Sequence, residues 1–213
     1  PDAVLPFHIR QEDAVARIRQ FVDKRKRFAL KAFKEQFTPE NVVGVYLPYM
    51  IVDGNVSIGV AGQGEIQTRS YTRGKDNDKK TYYDADVYQV ERHVDFTVDD
   101  LPLESSTERG NLDTKSNTNN IINTILPFDT KNAVKWNASY LSGFSSEKRN
   151  SDVEHLRPRL EDQLLSVGRA RVEDSVSDYD RGVRWEQERL TVHGTRWVSM
   201  YLPVWLYSYH QPG

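Results

Sequence analysis

Hydrophobic positions recur with helical spacing near the start of the chain. Ala14, Ile18, Phe21, Val22, Phe28 and Ala29 share one helical face, and Gln11, Glu12 and Asp13 place polar and acidic groups in the first turn, where the helix dipole favours negative charge. Leu5-Pro6-Phe7 reads as a lead-in strand or staple, and a second short helix over 30–37 is expected to stop at Thr38-Pro39. From Val42 the period changes: residues 42–52 are a continuous apolar run bounded by Asp53-Gly54, the pattern of a strand covered on both faces. Residues 56–71 and 81–98 read as its partners, with 73–80 as a polar hairpin tip, giving a three-stranded antiparallel meander. Residues 99–151 are irregular, with a short helix expected over 119–126 and an aromatic patch over 136–144 whose Tyr140 and Phe144 should bury as a loop anchor. A capping box at Ser151-Asp152-Val153-Glu154 announces a helix with the stripe Leu156, Leu160, Leu164 and Val167. Gly168 is a weak point in it, and Pro158 is either the first residue of a later start or a kink. Residues 182–193 and 195–209 are expected to form a hairpin about Gly194.

An internal echo links two of these strands. Val45-Tyr46-Leu47-Pro48-Tyr49-Met50-Ile51 matches Met200-Tyr201-Leu202-Pro203-Val204-Trp205-Leu206. Strand alternation puts Val45, Leu47, Tyr49 and Ile51 on one face, aligned with Met200, Leu202, Val204 and Leu206. Leu47 and Leu202 are therefore expected in one shared core, with Pro48 and Pro203 at bulges or unpaired edges. The fold class that follows is α+β: a bent antiparallel sheet with helices packed on one side, built from two helix-plus-strand units. A single domain over 1–213 is expected, with sub-units 1–98 and 152–213 joined by the irregular 99–151 segment.

Composition narrows the chemistry. With no cysteine in 213 residues there is no disulfide, no thiol nucleophile and no thiolate metal site. No two of the five histidines lie within five residues of each other, so a metal pair would need distant strands, such as His93 with His193. Asp76 and Asp78 in the hairpin tip lack calcium-loop spacing and are followed by two lysines. Asp84 with Asp86, or Asp99 with Asp100, place carboxylates in pairs, but 28% of the chain is charged and such pairs arise freely. No G-x-S-x-G elbow is present, and Gly59-Val60-Ala61-Gly62-Gln63-Gly64 has no phosphate-loop lysine, so its glycines mark a bulge or bend. Net charge is −2, although residues 1–43 carry net +3, including the basic run 24–27, and residues 84–113 carry net −7. Nucleic-acid binding is not expected at this net charge and without an aromatic-interleaved basic strand, and no transmembrane span is expected because the longest apolar runs are about half the length a span requires.

Five stretches, in this order, resemble a poorly characterised bacterial family. They are Leu5-Pro6-Phe7-His8-Ile9, Gly44 through Asp53, Leu126-Pro127-Phe128-Asp129, Ser139 through Lys148, and Leu202-Pro203-Val204-Trp205-Leu206. Members carry an N-terminal zinc-ribbon, this α+β body and often C-terminal transmembrane or TM2-like segments, and are often labelled primosomal protein N′ (replication factor Y)-like. The chain lacks the zinc-ribbon cysteines and any Walker motif, so the resemblance implies the soluble α+β middle region of a longer protein, with no helicase activity and no catalytic residues.

The expected function is a non-catalytic interaction or scaffolding module, without cofactor or metal, in the cytoplasm at a membrane face. Its expected partner is a protein. It would reach a membrane only through segments outside this chain. The alternative is a small-molecule or lipid pocket lined by Tyr49, Met50, Trp205 and Tyr207.

Overall fold

A computed structural model describes residues 1–24, 37–75, 78–106 and 128–207. The strands are β1 (Ala3–Val4), β2 (Val42–Arg73), β3 (Lys80–Glu104), β4 (Val134–Lys135), β5 (Ser145–Ser146) and β6 (Val183–Tyr207). Among the described residues the α-helices are α1 (Gln11–Lys24) and α2 (Val153–Glu173). The strand order is β3-β2-β6-β1-β4, with β5 pairing β2. This is an α+β chain with a sheet-dominated fold, and the sheet is mixed rather than wholly antiparallel. β1 runs parallel to β6, with Ala3 opposite Met200, and β5 runs parallel to β2, with Val45 opposite Ser145. These two-residue strands come from the N-terminal lead-in and a loop, where no tight turn forces an antiparallel return.

The expected meander is corrected in two places. Residues 42–52 and 56–71 form one strand, β2, unbroken at Asp53-Gly54. Likewise β6 runs straight through Gly194, so the expected hairpin there is absent. Turn residues permit a reversal without requiring one. Asp53 does not spend its side chain on its own turn: its Oδ1 accepts the Asp100 N–H at 2.9 Å. Asp100 itself holds the left-handed region at φ 56°. Gly54 and Gly194 pass close together, since a Cβ on Gly54 would lie 3.3 Å from the Gly194 carbonyl oxygen.

The described chain divides into two compact units, each drawn from separate stretches of sequence. The first takes Pro1–Ile51, Pro102–His155 and Trp197–Gly213; the second takes Val52–Leu101 and Leu156–Arg196. The long strands β2, β3 and β6 contribute residues to both.

In the first unit, Leu47, Tyr49, Ile51, Met200, Leu202 and Val204 pack with Leu5 in one core, and Val45 and Leu206 lie against it. Leu47 and Leu202 are both fully buried there, as the echo between the two strands predicted. β2 and β6 continue without interruption through Pro48 and Pro203, and the Pro48 carbonyl accepts the Ser105 N–H. The opposite face of the same strands is aromatic: Phe7 stacks on Phe144 with centroids 4.3 Å apart and meets Tyr46 and Trp205, each at 4.9 Å. Burial pushes the Tyr46 phenol above its usual pKa. Helix α1 seats Ala14 and Val15 against Val42, with Ile18, Trp205 and Tyr207 at the margin. Phe21, expected on that face, is 56% exposed, and Phe28, Ala29 and most of the 30–37 helix lie outside the described residues.

The aromatic patch divides. Phe144 is half-buried in the aromatic cluster, and Gly44 makes room for it, since a Cβ there would lie 2.6 Å from its ring. Tyr140, expected to bury, is exposed on the short 3-10 turn Ala138–Leu141. Phe144→Ala should therefore cost roughly 2–3 kcal/mol, below the range for a fully buried ring, and Tyr140→Ala much less. Chemical denaturation of the two variants checks the ranking. The 119–126 helix lies outside the described residues.

The cap of α2 differs by one residue from the expected box. The helix starts at Val153, so Asp152 is its N-cap, accepting the His155 N–H at 3.0 Å and contacting His155 Nδ1 at 2.6 Å. Those bonds, the backbone one foremost, hold the Asp152 carboxyl below its usual pKa. Ser151 is buried and donates its backbone N–H to the Ser105 carbonyl instead. Pro158 stands five residues beyond the first helical one, inside α2 rather than at its start.

In the second unit, Leu156, Leu160, Leu164, Gly168 and Val172 form the buried stripe of α2. Gly168 is a contact point: a Cβ there would fall 2.1 Å from Ile58 Cδ1, so the helix lies directly on β2. Val167, expected in the stripe, is half-buried beside it. Arg169 clasps Glu188 of β6 through Nε–Oε1 and Nη2–Oε2 contacts, both 2.5 Å.

Candidate functional site

Strand alternation separates the two faces of the sheet in the second unit. Val56, Ile58 and Val60 are buried, Ile58 directly beneath α2, so the intervening Asn55, Ser57, Gly59 and Ala61 face the other way. These side chains are small, and the neighbouring strands stand taller. Glu91, His93 and Asp95 of β3 and Gln187, Arg189, Thr191 and His193 of β6 flank two open recesses of about 570 and 730 Å³. Gly59 keeps the floor low without being sterically compelled, since a Cβ there would be no closer than 3.8 Å to His93 Nδ1.

Across this floor runs a chain of polar contacts linking three strands. Ser57 Oγ donates to Asp95 Oδ1, His193 Nε2 lies 2.6 Å from the same Oγ, and His93 Nε2 lies 3.2 Å from Asp95 Oδ1. With its proton committed to the carboxylate, Ser57 accepts from His193, so His193 carries hydrogen on Nε2. His93 donates to Asp95 in the same way. The residue types are those of a nucleophilic triad, but the order is not. A triad sets the imidazole between carboxylate and hydroxyl, so that the base takes the serine proton. Here the serine stands between them and donates to the carboxylate, and His193 offers it a proton rather than a free lone pair to accept one. His93 and Asp95 are also 66% and 71% exposed at their side chains, far from the desolvated setting that activates a nucleophile. The arrangement works as a cross-strand polar clamp.

The Ser57 hydroxyl is the main cause of the Asp95 carboxyl lying below its usual pKa, with His93 and His193 adding to it. A carboxyl depressed in the folded state contributes stability above the ordinary carboxylate range, and that contribution disappears as pH falls through its own lowered pKa. Ser57→Ala should raise the Asp95 pKa toward the ordinary aspartate value. A side-chain NMR titration reads this directly; an unmoved Asp95 would show that the hydroxyl does not hold it.

His93 and His193, the pair singled out from the sequence, do meet at one place, bridged by Ser57 and Asp95. Asp95 stands two residues from His93 on β3, but Ser57 of β2 and His193 of β6 reach that pair only through strand pairing, which no local spacing records. Among the described residues no group of three or more His, Asp and Glu side chains is arranged to hold a metal ion. The residues proposed for a pocket lie elsewhere. Tyr49 is in the core with Leu47 and Leu202, whereas Trp205 and Tyr207 pack beside Val42 against α1. Trp205 Nε1 donates to the Ile9 carbonyl at 2.9 Å, and Met50, buried, has Arg149 Nη1 4.0 Å from its sulfur. Asp84 and Asp86 lie on β3, Asp78 closes the tip through a backbone bond to Lys75, and Asp76 lies outside the described residues. Of the basic run 24–27 only Lys24 is among the described residues.

The large exposed side chains of this unit gather on β3. Tyr82, Tyr83, Val87 and Tyr88 are 43–57% exposed within seven residues of strand. Tyr82 stacks on Tyr71, Arg181 sits 3.8 Å over the Tyr83 ring, and Tyr88 meets Tyr179. Among the described residues no helix is long and apolar enough to cross a membrane, which says nothing of crossing by strands.

Comparison with known proteins adds one relative. The chain is 22% identical over 212 residues to Uncharacterized protein YdjG of Bacillus subtilis (strain 168), an alignment covering 98% of this chain and 57% of YdjG. The chain thus spans little more than half the length of that relative. No protein-family profile matches the chain, and no solved structure matches it.

Proposed function

We propose that this chain is a non-catalytic protein-interaction module within a longer protein. The observation that carries the reading is the concentration of half-exposed Tyr82, Tyr83, Val87 and Tyr88 on one short stretch of β3. Clustered exposed rings and aliphatic groups lose favourable burial unless another surface covers them, and tyrosine suits such surfaces because its hydroxyl tolerates water at the rim. Two further observations support it. The Ser57–Asp95–His193 wiring keeps its serine proton away from the imidazole, which disfavours acyl transfer. The relative YdjG is longer than the chain, in keeping with a module of a longer protein. The same reading takes the two Tyr-Leu-Pro strands as parts of two helix-plus-strand units of one bent sheet, with the protein acting in the cytoplasm at a membrane face.

The experiment is photo-cross-linking in living cells from an amino acid placed at Val87, with Lys131 as an exposed control in the other unit. Adducts from position 87 and none from position 131 are expected. A position 87 as silent as the control would overturn the interaction reading.

A further inference from the structure

The partner that covers β3 is, we propose, a second copy of this chain, added edge to edge as an antiparallel strand about a two-fold axis at Ala85. The inference rests on the interaction reading and names its occupant. β3 stands at the end of the strand order, so its outer edge has no strand partner among the described residues. A free edge is ordinarily blunted by proline, lysine or a bulge. Residues 81–89, Thr-Tyr-Tyr-Asp-Ala-Asp-Val-Tyr-Gln, hold no proline, lysine or glycine, and β3 passes through them unbroken.

The side chains along this stretch are self-complementary when the strand is turned on itself. With Ala85 opposite Ala85, Tyr82 of one copy faces Tyr88 of the other, and Tyr83 faces Val87. Directly opposed residues on one face of an antiparallel pair have Cβ atoms about 5 Å apart, close enough for ring–ring and ring–aliphatic contact. All four exposed side chains thus find apolar partners, on both faces of the sheet. Carried one residue past the start of β3, the pairing also sets Lys79 of one copy opposite Glu91 of the other, a pair of opposite charges formed twice by the symmetry. Other registers lose this match: moving the axis to Tyr83 sets Tyr82 against Asp84 and leaves Val87 opposite Lys79.

One feature opposes the pairing. Asp84 faces Asp86 across the axis, twice, and like charges directly opposed destabilise a strand pair. The dimer is therefore weakened at its centre and responsive to anything that neutralises those carboxylates.

Sedimentation equilibrium of the purified chain over a concentration series tests this, with wild type, Val87→Lys and Asp84→Asn compared. A wild-type dimer of twice 24.6 kDa is expected. Val87→Lys should be monomeric while keeping the wild-type circular dichroism spectrum, because Val87 is 57% exposed in the single chain. Asp84→Asn should tighten the dimer by about 2- to 30-fold, since it removes both like-charge pairs at once. A wild-type chain that stays monomeric overturns the proposal, as does a dimer indifferent to Val87→Lys or weakened by Asp84→Asn. Cross-links from position 87 to a different protein, with a monomer in the centrifuge, would overturn the second copy as partner and leave the interaction reading standing.

Discussion

Leu47→Ala and Leu202→Ala are each expected to lower stability by about 2–5 kcal/mol, the range for emptying a packed site of three carbons. Both side chains are fully buried, and both belong to the cluster that also holds Leu5, Tyr49, Ile51, Met200 and Val204. The walls of that cluster are strands tied to neighbours on either side, so they cannot collapse into the void, which favours the upper half of the range. The two sites share one core, so their effects should also interact. The double variant should depart from the sum of the single ones by more than about 0.5 kcal/mol. Urea denaturation of the three variants measures both quantities. Additive losses would mean that the two strands sit in separate cores despite their matching sequences.

Gly62→Ala should be nearly as damaging, while Gly59→Ala, three residues away in the same glycine-rich run, should not. A Cβ on Gly62 would lie 2.2 Å from the Arg184 carbonyl oxygen and 2.8 Å from Trp185 Cα. Both are backbone atoms of β6, so no rotamer change relieves the overlap, and the two strands must move apart. A cost of about 3 kcal/mol, the top of the usual overpacking range, is expected. At Gly59 the added methyl meets nothing closer than 3.8 Å, and the loss of glycine's backbone freedom should leave stability unchanged or raise it by up to about 1 kcal/mol. Thermal unfolding of the two variants separates them. Equal effects would show that these glycines serve backbone conformation rather than close approach.

The glycine run shows what periodicity reads and what it misses. From the sequence its glycines suggest a bulge or bend, because glycine's conformational freedom is a local property. In the structure β2 runs straight through them. Gly62 is needed by the backbone of β6, and Gly64 by the Tyr179 ring, 2.5 Å from where its Cβ would be. Gly168 repeats the lesson in α2: a residue that weakens a helix by propensity is the one that lets the helix lie on Ile58. The turn signals at Asp53-Gly54 and Gly194 failed for a related reason. A local turn competes with a ladder of backbone hydrogen bonds along a long strand pair, and here the ladder wins. The candidate site was legible only in part: the wide spacing of the histidines ruled out a local pair and left His93 with His193 to be joined by the fold. That Ser57 and Asp95 would join them depended on the register of three strands.

By itself the sequence determined which residues are apolar on which face of an element, and hence the core. The alternation of Val45, Leu47, Tyr49 and Ile51, and its match at Met200, Leu202, Val204 and Leu206, was sufficient to put two distant strands in one interior. Side-chain period is a property of the strand itself, and burial of a fully apolar face leaves little choice of partner. Tertiary structure alone decided where strands continue, run parallel or stand last in the sheet, and which polar groups converge. It joined Asp53-Gly54 into one strand, laid the N-terminal residues Ala3 and Val4 parallel to β6, and left the outer edge of β3 with Tyr82, Tyr83, Val87 and Tyr88 displayed along it. The pairing of β1 and β2 with β6 joins segments a hundred or more residues apart, whose hydrogen bonds are equally available to any strand of matching length. No local pattern records which one is taken.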